Sequence, residues 1–427
     1  MKSYREMTRE ELAREEQNLI KAFDAEKAKG LSINMARGKP STAQLDLSND
    51  MLDVINSKSD FCSEKGSDCR NYGDIAGIDE AKRLMGDMVG VPWENVMVYG
   101  NASLSIMYDF VSRSMLKGVL GSTPWCQLDH VKFLCPVPGY DRHFGITEYF
   151  GIEMVNIPMT PTGPDMDKVE ELVNNDSAVK GIWCVPKYSN PQGITYSDDT
   201  VRRFASLKPA ADDFRIYWDN AYAVHHLYDD QQDELLDILG ACEEAGNPDM
   251  VYEFFSTSKI TFAGSGLSGM AASQKNLDEI RHQMNVRIIS YDKMNMLRHA
   301  RYLVNLDGVK AKMAQHAKIM RPKFDTVVNT LNRDLKSLDI ASWIEPHGGY
   351  FVAFEAMDGC ATAIIQLAKE AGITLTPAGA PFPYHKDPRD SVIRIAPSLP
   401  PVPDLQAAMD VFTLCVRLAT VRKLQEK

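Results

Sequence analysis

Three reactive side chains follow apolar segments that are typical of buried strands. Lys259 ends the run Ser256-Thr257-Ser258-Lys259, while Asp219 and Tyr222 follow the apolar residues 215–218. A lysine at the rim of a sheet can have its pKa lowered and act as a nucleophile, although most lysines are solvated surface groups. An isolated aspartate at such a position is more often a helix cap than a functional acid. Together, the three side chains predict amine and acid chemistry at one sheet edge.

Three further segments carry useful groups at the same kind of position. Gly100-Asn101-Ala102-Ser103 opens a helix, so its N–H groups and dipole could hold a phosphate, although an ordinary helix cap is an equally good interpretation. Pro136-Val137-Pro138-Gly139-Tyr140 is a rigid turn that presents an aromatic ring. Asn190-Pro191-Gln192-Gly193 offers an amide side chain in a tight turn. An amine, an acid, an amide, phenols and a helix N-terminus together suit an aldehyde cofactor that carries a pyridine ring and a phosphate.

The elements that must position these groups are predicted to form an α/β fold. Runs that are apolar on both faces alternate with helical periodicity, which favours a large, doubly wound, mostly parallel sheet. These runs are residues 96–99, 131–135, 152–157, 181–185, 215–218 and 251–255. In such a sheet, ligands bind at the carboxyl ends of the strands, where the reactive side chains are expected to meet.

The two ends of the chain have a different pattern. Thr8 and Glu11 form a capping box that begins an amphipathic helix. Long charged helices, strands near residues 349–354 and 391–395, and a final amphipathic helix follow residue 300 and predict a smaller α+β domain. We expect an N-terminal helical arm over residues 1–45 that joins the small domain, a large cofactor domain over 46–310, and a small C-terminal domain over 311–427.

Composition and charge exclude several classes of protein. The 427 residues are 44% hydrophobic and 25% charged, far from disordered or disulfide-scaffold compositions. A net charge of −11 argues against nucleic-acid partners. No apolar stretch reaches the roughly 20 residues of a membrane span and no signal peptide is recognisable, so a cytoplasmic protein is expected. The eight cysteines contain no Cys-x-x-Cys pair and the adjacent His225 and His226 would diverge, so no metal site is predicted.

The order of the motifs resembles the pyridoxal-phosphate (PLP) aminotransferases of fold type I, class I, from about Arg37 to the last helix. The motifs that carry this resemblance are Asn190-Pro191-Gln192-Gly193, Asp219-Asn220-Ala221-Tyr222, Ser256-Thr257-Ser258-Lys259 and Arg394-Ile395-Ala396. Further motifs are similar to those of the branch related to the aminotransferase modules of MocR-type proteins. Within that branch they most resemble a bacterial aspartate aminotransferase subgroup. These further motifs are Arg37-Gly38-Lys39-Pro40, Asn71-Tyr72-Gly73-Asp74, residues 258–264 and His347-Gly348-Gly349-Tyr350-Phe351.

The resemblance implies a role for each matching residue. Lys259 would hold PLP as a Schiff base and move the Cα proton, Asp219 would pair with the pyridine nitrogen, and Tyr140 would stack on the ring. Asn190 and Tyr222 would bind the ring phenolate oxygen. The phosphate would be held by Ala102, Ser103, Ser256 and Ser258, with Tyr72 reaching it from the partner in a homodimer. Arg394 would grip the substrate α-carboxylate next to Gly38.

One position departs from the family pattern. Many relatives place an arginine eight residues after the lysine to neutralise the phosphate, whereas this chain has Leu267 there. Backbone amides and hydroxyl groups would then have to balance the charge. The surrounding residues 264–269 read Gly-x-Gly-x-x-Gly, but the preceding strand ends well before the first glycine, which argues against the dinucleotide-binding fingerprint.

The resemblance implies a reaction between L-aspartate and 2-oxoglutarate that yields oxaloacetate and L-glutamate. The distal carboxylate of such substrates needs a second cation, for which Arg37, Lys39, Arg142 and Lys187 are candidates and Lys187 is favoured. Alanine or aromatic substrates are an alternative. A noncatalytic, PLP-binding regulator of the MocR type is another, but only about 40 residues precede the catalytic body and would have to hold a DNA-binding module.

Overall fold

A central eight-stranded sheet organises the computed structural model, which describes residues 3–426. Within these residues the strands are β1 (Ile33–Asn34), β2 (Val96–Val98), β3 (Lys132–Val137), β4 (Glu153–Thr160), β5 (Gly163–Pro164), β6 (Val179–Cys184), β7 (Arg215–Asp219), β8 (Val251–Ser256), β9 (Ser268–Ala271), β10 (Ala341–Trp343), β11 (Val352–Ala356), β12 (Ile373–Thr374) and β13 (Val392–Ile395).

The helices lie mainly between these strands. They are α1 (Arg9–Lys27), α2 (Thr42–Asp46), α3 (Asp79–Val89), α4 (Ser103–Lys117), α5 (Asp141–Tyr149), α6 (Met166–Asn175), α7 (Asp198–Ala205), α8 (Ile238–Glu244), α9 (Gln274–Arg287), α10 (Lys293–Leu303), α11 (Leu306–Asp334), α12 (Ala361–Glu370) and α13 (Val402–Gln425). Short 3₁₀ turns occupy Tyr4–Glu6, Asn49–Asp53, Trp93–Asn95, Trp125–Gln127, Pro248–Met250, Lys336–Leu338 and Pro383–His385. Among residues 3–426, no helix is both long enough and apolar enough to span a membrane.

The large sheet has the strand order β2-β9-β8-β7-β6-β3-β4-β5. Its central strands, from β4 through β3, β6 and β7 to β8, are parallel. Alternate residues of β7 enter different cores, Tyr217 on one face and Ile216 and Trp218 on the other. A strand buried on both faces must be apolar throughout. The predicted doubly wound, mostly parallel α/β fold is confirmed, and each of the six predicted apolar runs forms a strand.

The sequence did not reveal β9, which lies between β2 and β8 and is antiparallel to both. Its residues Ser268-Gly269-Met270-Ala271 are mostly small, so they lack the branched and aromatic side chains that signal a strand. A Cβ on Gly269 would lie 2.6 Å from the Phe255 ring, so glycine permits the close approach of β8. A strand therefore begins at Ser268, within the glycine-rich residues 264–269, where a dinucleotide fingerprint needs a helix after the last glycine.

A second core joins the two ends of the chain. The antiparallel sheet β10-β11-β13 packs with α1, α12, α13 and the second half of α11. Strand β1 pairs in parallel with β12, so that Ile33 faces Ile373. The capping box of α1 is confirmed: Thr8 Oγ1 accepts from the Glu11 N–H at 3.2 Å, and Glu11 Oε2 accepts from the Thr8 N–H at 2.7 Å. We propose that this core is the small domain, with the predicted boundary at residue 310 inside α11.

The predicted strand at 349–354 begins later than expected, at Val352. Gly349 has a φ of +82°, which the extended backbone of a strand does not adopt. A Cβ on Gly348 would lie 2.3 Å from the Tyr188 ring. The two glycines thus bring the chain close to Tyr188 before β11 starts.

Candidate active site

Lys259 lies in the loop after β8, above two aromatic rings. Its Nζ is 4.9 Å from the ring centre of Tyr222 and 5.6 Å from that of Tyr350. Burial lowers the pKa of Lys259, and the negative charge of Asp219 opposes this shift. A lysine in this setting is more readily neutral than a surface lysine, and a neutral amine can attack a carbonyl carbon or take up a proton.

Asp219 ends β7, which forms part of the centre of the sheet, and its side chain is buried. Its Oδ2 lies 3.0 Å from Nε2 of His143 on α5. The His143 ring stacks on Trp183 with centroids 4.6 Å apart. Trp183 in turn donates from Nε1 to Thr147 Oγ1 at 2.8 Å. These contacts fix the direction of the Asp219 carboxylate.

The other carboxylate oxygen of Asp219 provides a test of fit for PLP. Within residues 3–426, Oδ1 is buried and has no hydrogen-bond partner. A buried acceptor of this kind is costly unless a donor meets it. The protonated nitrogen of a pyridine ring is such a donor. The amine of Lys259, the phenol of Tyr222 and the carboxylate of Asp219 therefore fit the aldehyde and ring of PLP.

Arg394 in β13 enters the site from the small-domain core. Its Nη1 donates to Asp141 Oδ1 at 2.8 Å and to Asn190 Oδ1 at 3.3 Å. The guanidinium carbon lies 5.0 Å from the ring centre of Phe351. Gly38 also approaches that ring, since a Cβ on Gly38 would be 2.4 Å from the nearest Phe351 atom. The structure thus brings together Arg394, Asn190 and, through Phe351, Gly38.

The start of α4 and the lysine loop form the candidate phosphate cradle. Ala102 is the N-cap and Ser103 the first residue of α4, and the Ala102 side chain makes no capping hydrogen bond. The Ser258 hydroxyl donates to the Asn101 carbonyl at 2.9 Å, and Asn101 Nδ2 donates to the Gly264 carbonyl at 3.2 Å. The first N–H groups of a helix lack intrahelical partners and suit an anion. Ser256 lies nearby, as the last residue of β8.

Leu267 cannot contribute charge to this cradle. Its side chain is buried in the core between α3, α10 and β8. Its N–H donates to Thr257 Oγ1 at 2.8 Å, and its carbonyl accepts from the Thr257 N–H at 2.7 Å. The residue that stands in place of the usual arginine therefore has a structural role, namely to tie the lysine loop to the start of β9.

Tyr140 and Tyr72 have opposite surroundings. Tyr140 is the N-cap of α5 and packs edge-on against His143, with centroids 4.9 Å apart. Burial, together with the charge of Asp219, raises the pKa of Tyr140 to about 12, which keeps the phenol neutral. Tyr72 is 74% exposed, while its carbonyl accepts from Lys293 Nζ at 3.1 Å. Such an exposed ring is available to a second copy of the chain.

Lys187 is buried, and its Nζ donates to the Ala223 carbonyl at 2.8 Å. Burial lowers the pKa of Lys187 to about 8, and the charges of Asp233 and Glu234 oppose the shift. The three other candidate cations for a distal carboxylate, Arg37, Lys39 and Arg142, are exposed.

A buried polar cluster supports the backbone at Ile260, the residue after Lys259. His316 on α11 has Nε2 2.9 Å from the Ile260 carbonyl and Nδ1 3.3 Å from Gln44 Nε2. Gln44 also donates to the Tyr350 hydroxyl at 2.8 Å. The backbone beside Lys259 is thus held by residues from α2, from α11 and from the segment before β11.

Comparisons with known proteins identify the family of this chain. A family described as aspartate amino-transferase matches residues 7–427. The chain belongs to the aspartate aminotransferase family. An aspartate aminotransferase of Corynebacterium glutamicum is 46% identical over 404 residues, which cover 94% of this chain and 93% of the relative. The protein is accordingly an aminotransferase.

Solved structures of aminotransferases show the same fold. A crystal structure of an aspartate transaminase from Corynebacterium glutamicum superimposes with a TM-score of 0.96 at 44% identity and covers 99% of both chains. An α-aminoadipate aminotransferase from Thermus thermophilus, at 18% identity, has a TM-score of 0.71 over 94% of this chain and 95% of its own. At that identity the likeness concerns the fold alone, which is that of the fold type I aminotransferases.

Sequence reasoning missed His143, Asp141 and His316. The first two lie on α5, which contains no motif that marks it as part of a site. Only the sequence position of Asp141, directly after Tyr140, was a usable signal. His316 is far along the chain from Ile260 and Gln44, so their proximity depends on the tertiary fold.

Proposed function

We propose that this aminotransferase binds PLP through Lys259 and transfers the amino group of L-aspartate to 2-oxoglutarate, giving oxaloacetate and L-glutamate. The cofactor assignment rests on Oδ1 of Asp219, which is buried and has no hydrogen-bond partner in the described part of the chain. The likeness over nearly the full length to an aspartate aminotransferase of Corynebacterium glutamicum supports the choice of substrate.

PLP, when bound, would supply an aldehyde that condenses with amines and a protonated ring that disperses negative charge from the substrate Cα. Asp219 would hold the proton on the ring nitrogen, because its carboxylate is fixed by His143 and aimed by the end of β7. Lys259 Nζ would take the proton from the substrate Cα and deliver it to the C4′ carbon of the cofactor, acting first as a general base and then as a general acid. Its lowered pKa favours the neutral form that this task requires.

Other side chains would orient the reacting groups. Tyr140 would cover one face of the ring, and Tyr222 would donate its phenol proton to the ring oxygen. Asn190 is suited to the same oxygen, since its Oδ1 already accepts from Arg394 and its Nδ2 can donate. The N–H groups of Ala102 and Ser103, with the hydroxyls of Ser256 and Ser258, would hold the phosphate. Ser258 would first have to turn its hydroxyl from the Asn101 carbonyl.

The substrate carboxylates would be held by two cations. Arg394 would bind the α-carboxylate beside Gly38, because its planar fork matches a carboxylate. Lys187 would bind the distal carboxylate with an N–H that is not used on Ala223. We further propose a homodimer in which Tyr72 reaches the phosphate of the partner site. The cytoplasmic location and the relation to the MocR branch stay predictions.

A spectroscopic titration tests the proposal. The purified protein loaded with PLP is expected to absorb in the visible range, and L-aspartate should remove this band until 2-oxoglutarate restores it. Lys259→Ala should abolish turnover, whereas Lys275→Ala, at an exposed lysine, should leave it unchanged. A screen of amino donors should place aspartate first. Turnover by Lys259→Ala at the wild-type rate would refute the role of Lys259, and a preference for alanine or tyrosine would refute the substrate.

A further inference from the structure

Asp141 is the first residue of α5, directly after Tyr140. Its carboxylate accepts a hydrogen bond from the guanidinium of Arg394. Oδ1 of Asp141 lies 2.8 Å from Arg394 Nη1. The Arg394 side chain is only 7% exposed, whereas that of Asp141 is 28% exposed. The site therefore contains an internal carboxylate on the cation that is proposed to receive the carboxylate of the substrate.

The hydrogen bonds of Arg394 leave one edge of its guanidinium available. Nη1 is engaged twice, by Asp141 and by Asn190. Nε is buried and has no hydrogen-bond partner within residues 3–426. The guanidinium carbon lies over the Phe351 ring, 5.0 Å from its centre. A carboxylate ligand would bind along the Nε edge, so it would share the guanidinium with Asp141.

We propose that Asp141 is a specificity-determining residue that weakens the binding of carboxylate ligands at Arg394 according to their negative charge. This inference rests on the proposed role of Arg394. A ligand carboxylate would meet a cation whose charge is already balanced, and it would lie near a second anion in a site with little water to screen it. A dianion is penalised more than a monoanion. An amino acid, whose α-ammonium offsets one carboxylate, is penalised less than the corresponding 2-oxo acid.

The same contact has a second effect in the protein without ligand. Asp141 is the one charged partner of Arg394 among the residues that the structure describes. A buried guanidinium that loses such a partner is costly, because its charge is then neither hydrated nor paired. Asp141 thus stabilises Arg394 before the substrate arrives. A ligand carboxylate should be able to take over this stabilising role when Asp141 is neutralised, and this exchange can be measured apart from turnover.

The test uses the PLP-loaded protein, with succinate as a dianionic probe and acetate as a monoanionic probe, measured by calorimetry. Asp141→Asn is expected to bind succinate about tenfold more tightly than the wild type, and acetate only about threefold more tightly. Asp141→Glu should bind both like the wild type. Glu148→Gln, which removes an exposed charge from the same helix, should also be unchanged. Asp141→Ser supplies a second neutral variant if Asp141→Asn does not fold.

Thermal unfolding gives a second readout. Without probe, Asp141→Asn should melt below the wild type, and saturating succinate should raise its melting temperature by more than it raises that of the wild type. If the neutral variants bind succinate no more tightly than the wild type while Arg394→Ala abolishes binding, the inference about Asp141 is wrong and the proposed function stands. If Arg394→Ala binds succinate like the wild type, the proposed role of Arg394 itself is wrong.

Discussion

Nε2 of His143 lies 3.0 Å from Oδ2 of Asp219, and both side chains are buried. The imidazole comes from α5 and the carboxylate from the end of β7, so the contact joins a helix to the centre of the sheet. It leaves only the other oxygen of Asp219 for a ligand.

His143→Leu should therefore lower kcat/KM about tenfold, because a loosened carboxylate holds the proton on the ring nitrogen less firmly. The pH at which the visible band of the PLP-loaded protein changes should shift as well. His130→Leu, at an exposed histidine, is the control. A His143→Leu protein with an unshifted spectrum and normal kinetics would contradict the positioning role.

Gly38 should be intolerant of a side chain. In Gly38→Ala the new Cβ would lie 2.4 and 2.6 Å from atoms of the Phe351 ring, which must then move together with Arg394 above it. We expect KM for both substrates to rise about tenfold, with a smaller change in kcat, since carboxylate binding is disturbed more than the chemistry. Gly145→Ala is the matched control, because apart from its chain neighbours and the backbone of its own helix nothing in residues 3–426 lies within 4 Å of its Cβ position. Equal KM values for the two variants would show that Phe351 does not transmit the displacement.

Glu253 should make stability depend on pH. Burial in β8 raises the pKa of Glu253 to about 8, and the Asn220 Nδ2–H, which donates to Oε1 at 2.9 Å, opposes this shift. Between its unfolded pKa near 4.5 and about 8 the folded carboxyl keeps a proton that the unfolded one releases, so the free energy of unfolding falls as the pH rises through this range.

Glu253→Gln should match the wild type near pH 4 and exceed its free energy of unfolding by on the order of a few kcal/mol at pH 9. Chemical denaturation at several pH values measures this difference. Glu244→Gln, at an exposed glutamate, should show none of it. A difference between Glu253→Gln and the wild type that does not change with pH would mean that Glu253 is charged in the folded protein at neutral pH.

Tyr72 should act in the site of the partner subunit. Lys259→Ala and Tyr72→Ala homodimers are each expected to have little activity. A hybrid of the two would contain one site with an intact lysine and, from the other chain, an intact tyrosine. Refolding the two variants together should therefore recover activity in proportion to the hybrid fraction. If Tyr72 served its own subunit, mixing would recover nothing.

Lys187 should make substrate preference sensitive to pH. Its ammonium loses its positive charge as the pH rises through its pKa of about 8, which weakens binding of a distal carboxylate. The preference for aspartate over alanine in kcat/KM should fall across this range. Lys187→Arg should keep the preference to higher pH, and Lys208→Met, at an exposed lysine, should behave as the wild type. A wild-type preference that is constant from pH 7 to 9 would exclude Lys187 as the receptor.

Residues at the ends of strands were the predictable part of the site. Lys259 and Asp219 follow runs that are apolar on both faces, and the topology of a parallel sheet brings such positions to one edge. His143 was not predictable, and Asp141 offered only its position after Tyr140 as a signal, because their partners belong to elements far away in the chain and no periodicity encodes how α5 packs. Strand β9 was hidden for another reason: its glycine and small residues are selected by the close approach of β8 and carry no strand signal.

Helix α11 is continuous from Leu306 to Asp334, and it has His316 near its middle. Its early residues Val309 and Met313 pack with the large sheet, while Phe324 and Val327 pack with the core that carries Arg394. If that core rotated towards a bound carboxylate, α11 would move with it. His316 would then transmit the displacement to the Ile260 carbonyl. Binding of the substrate at Arg394, as proposed above, would thereby be coupled to the orientation of the amine on Lys259.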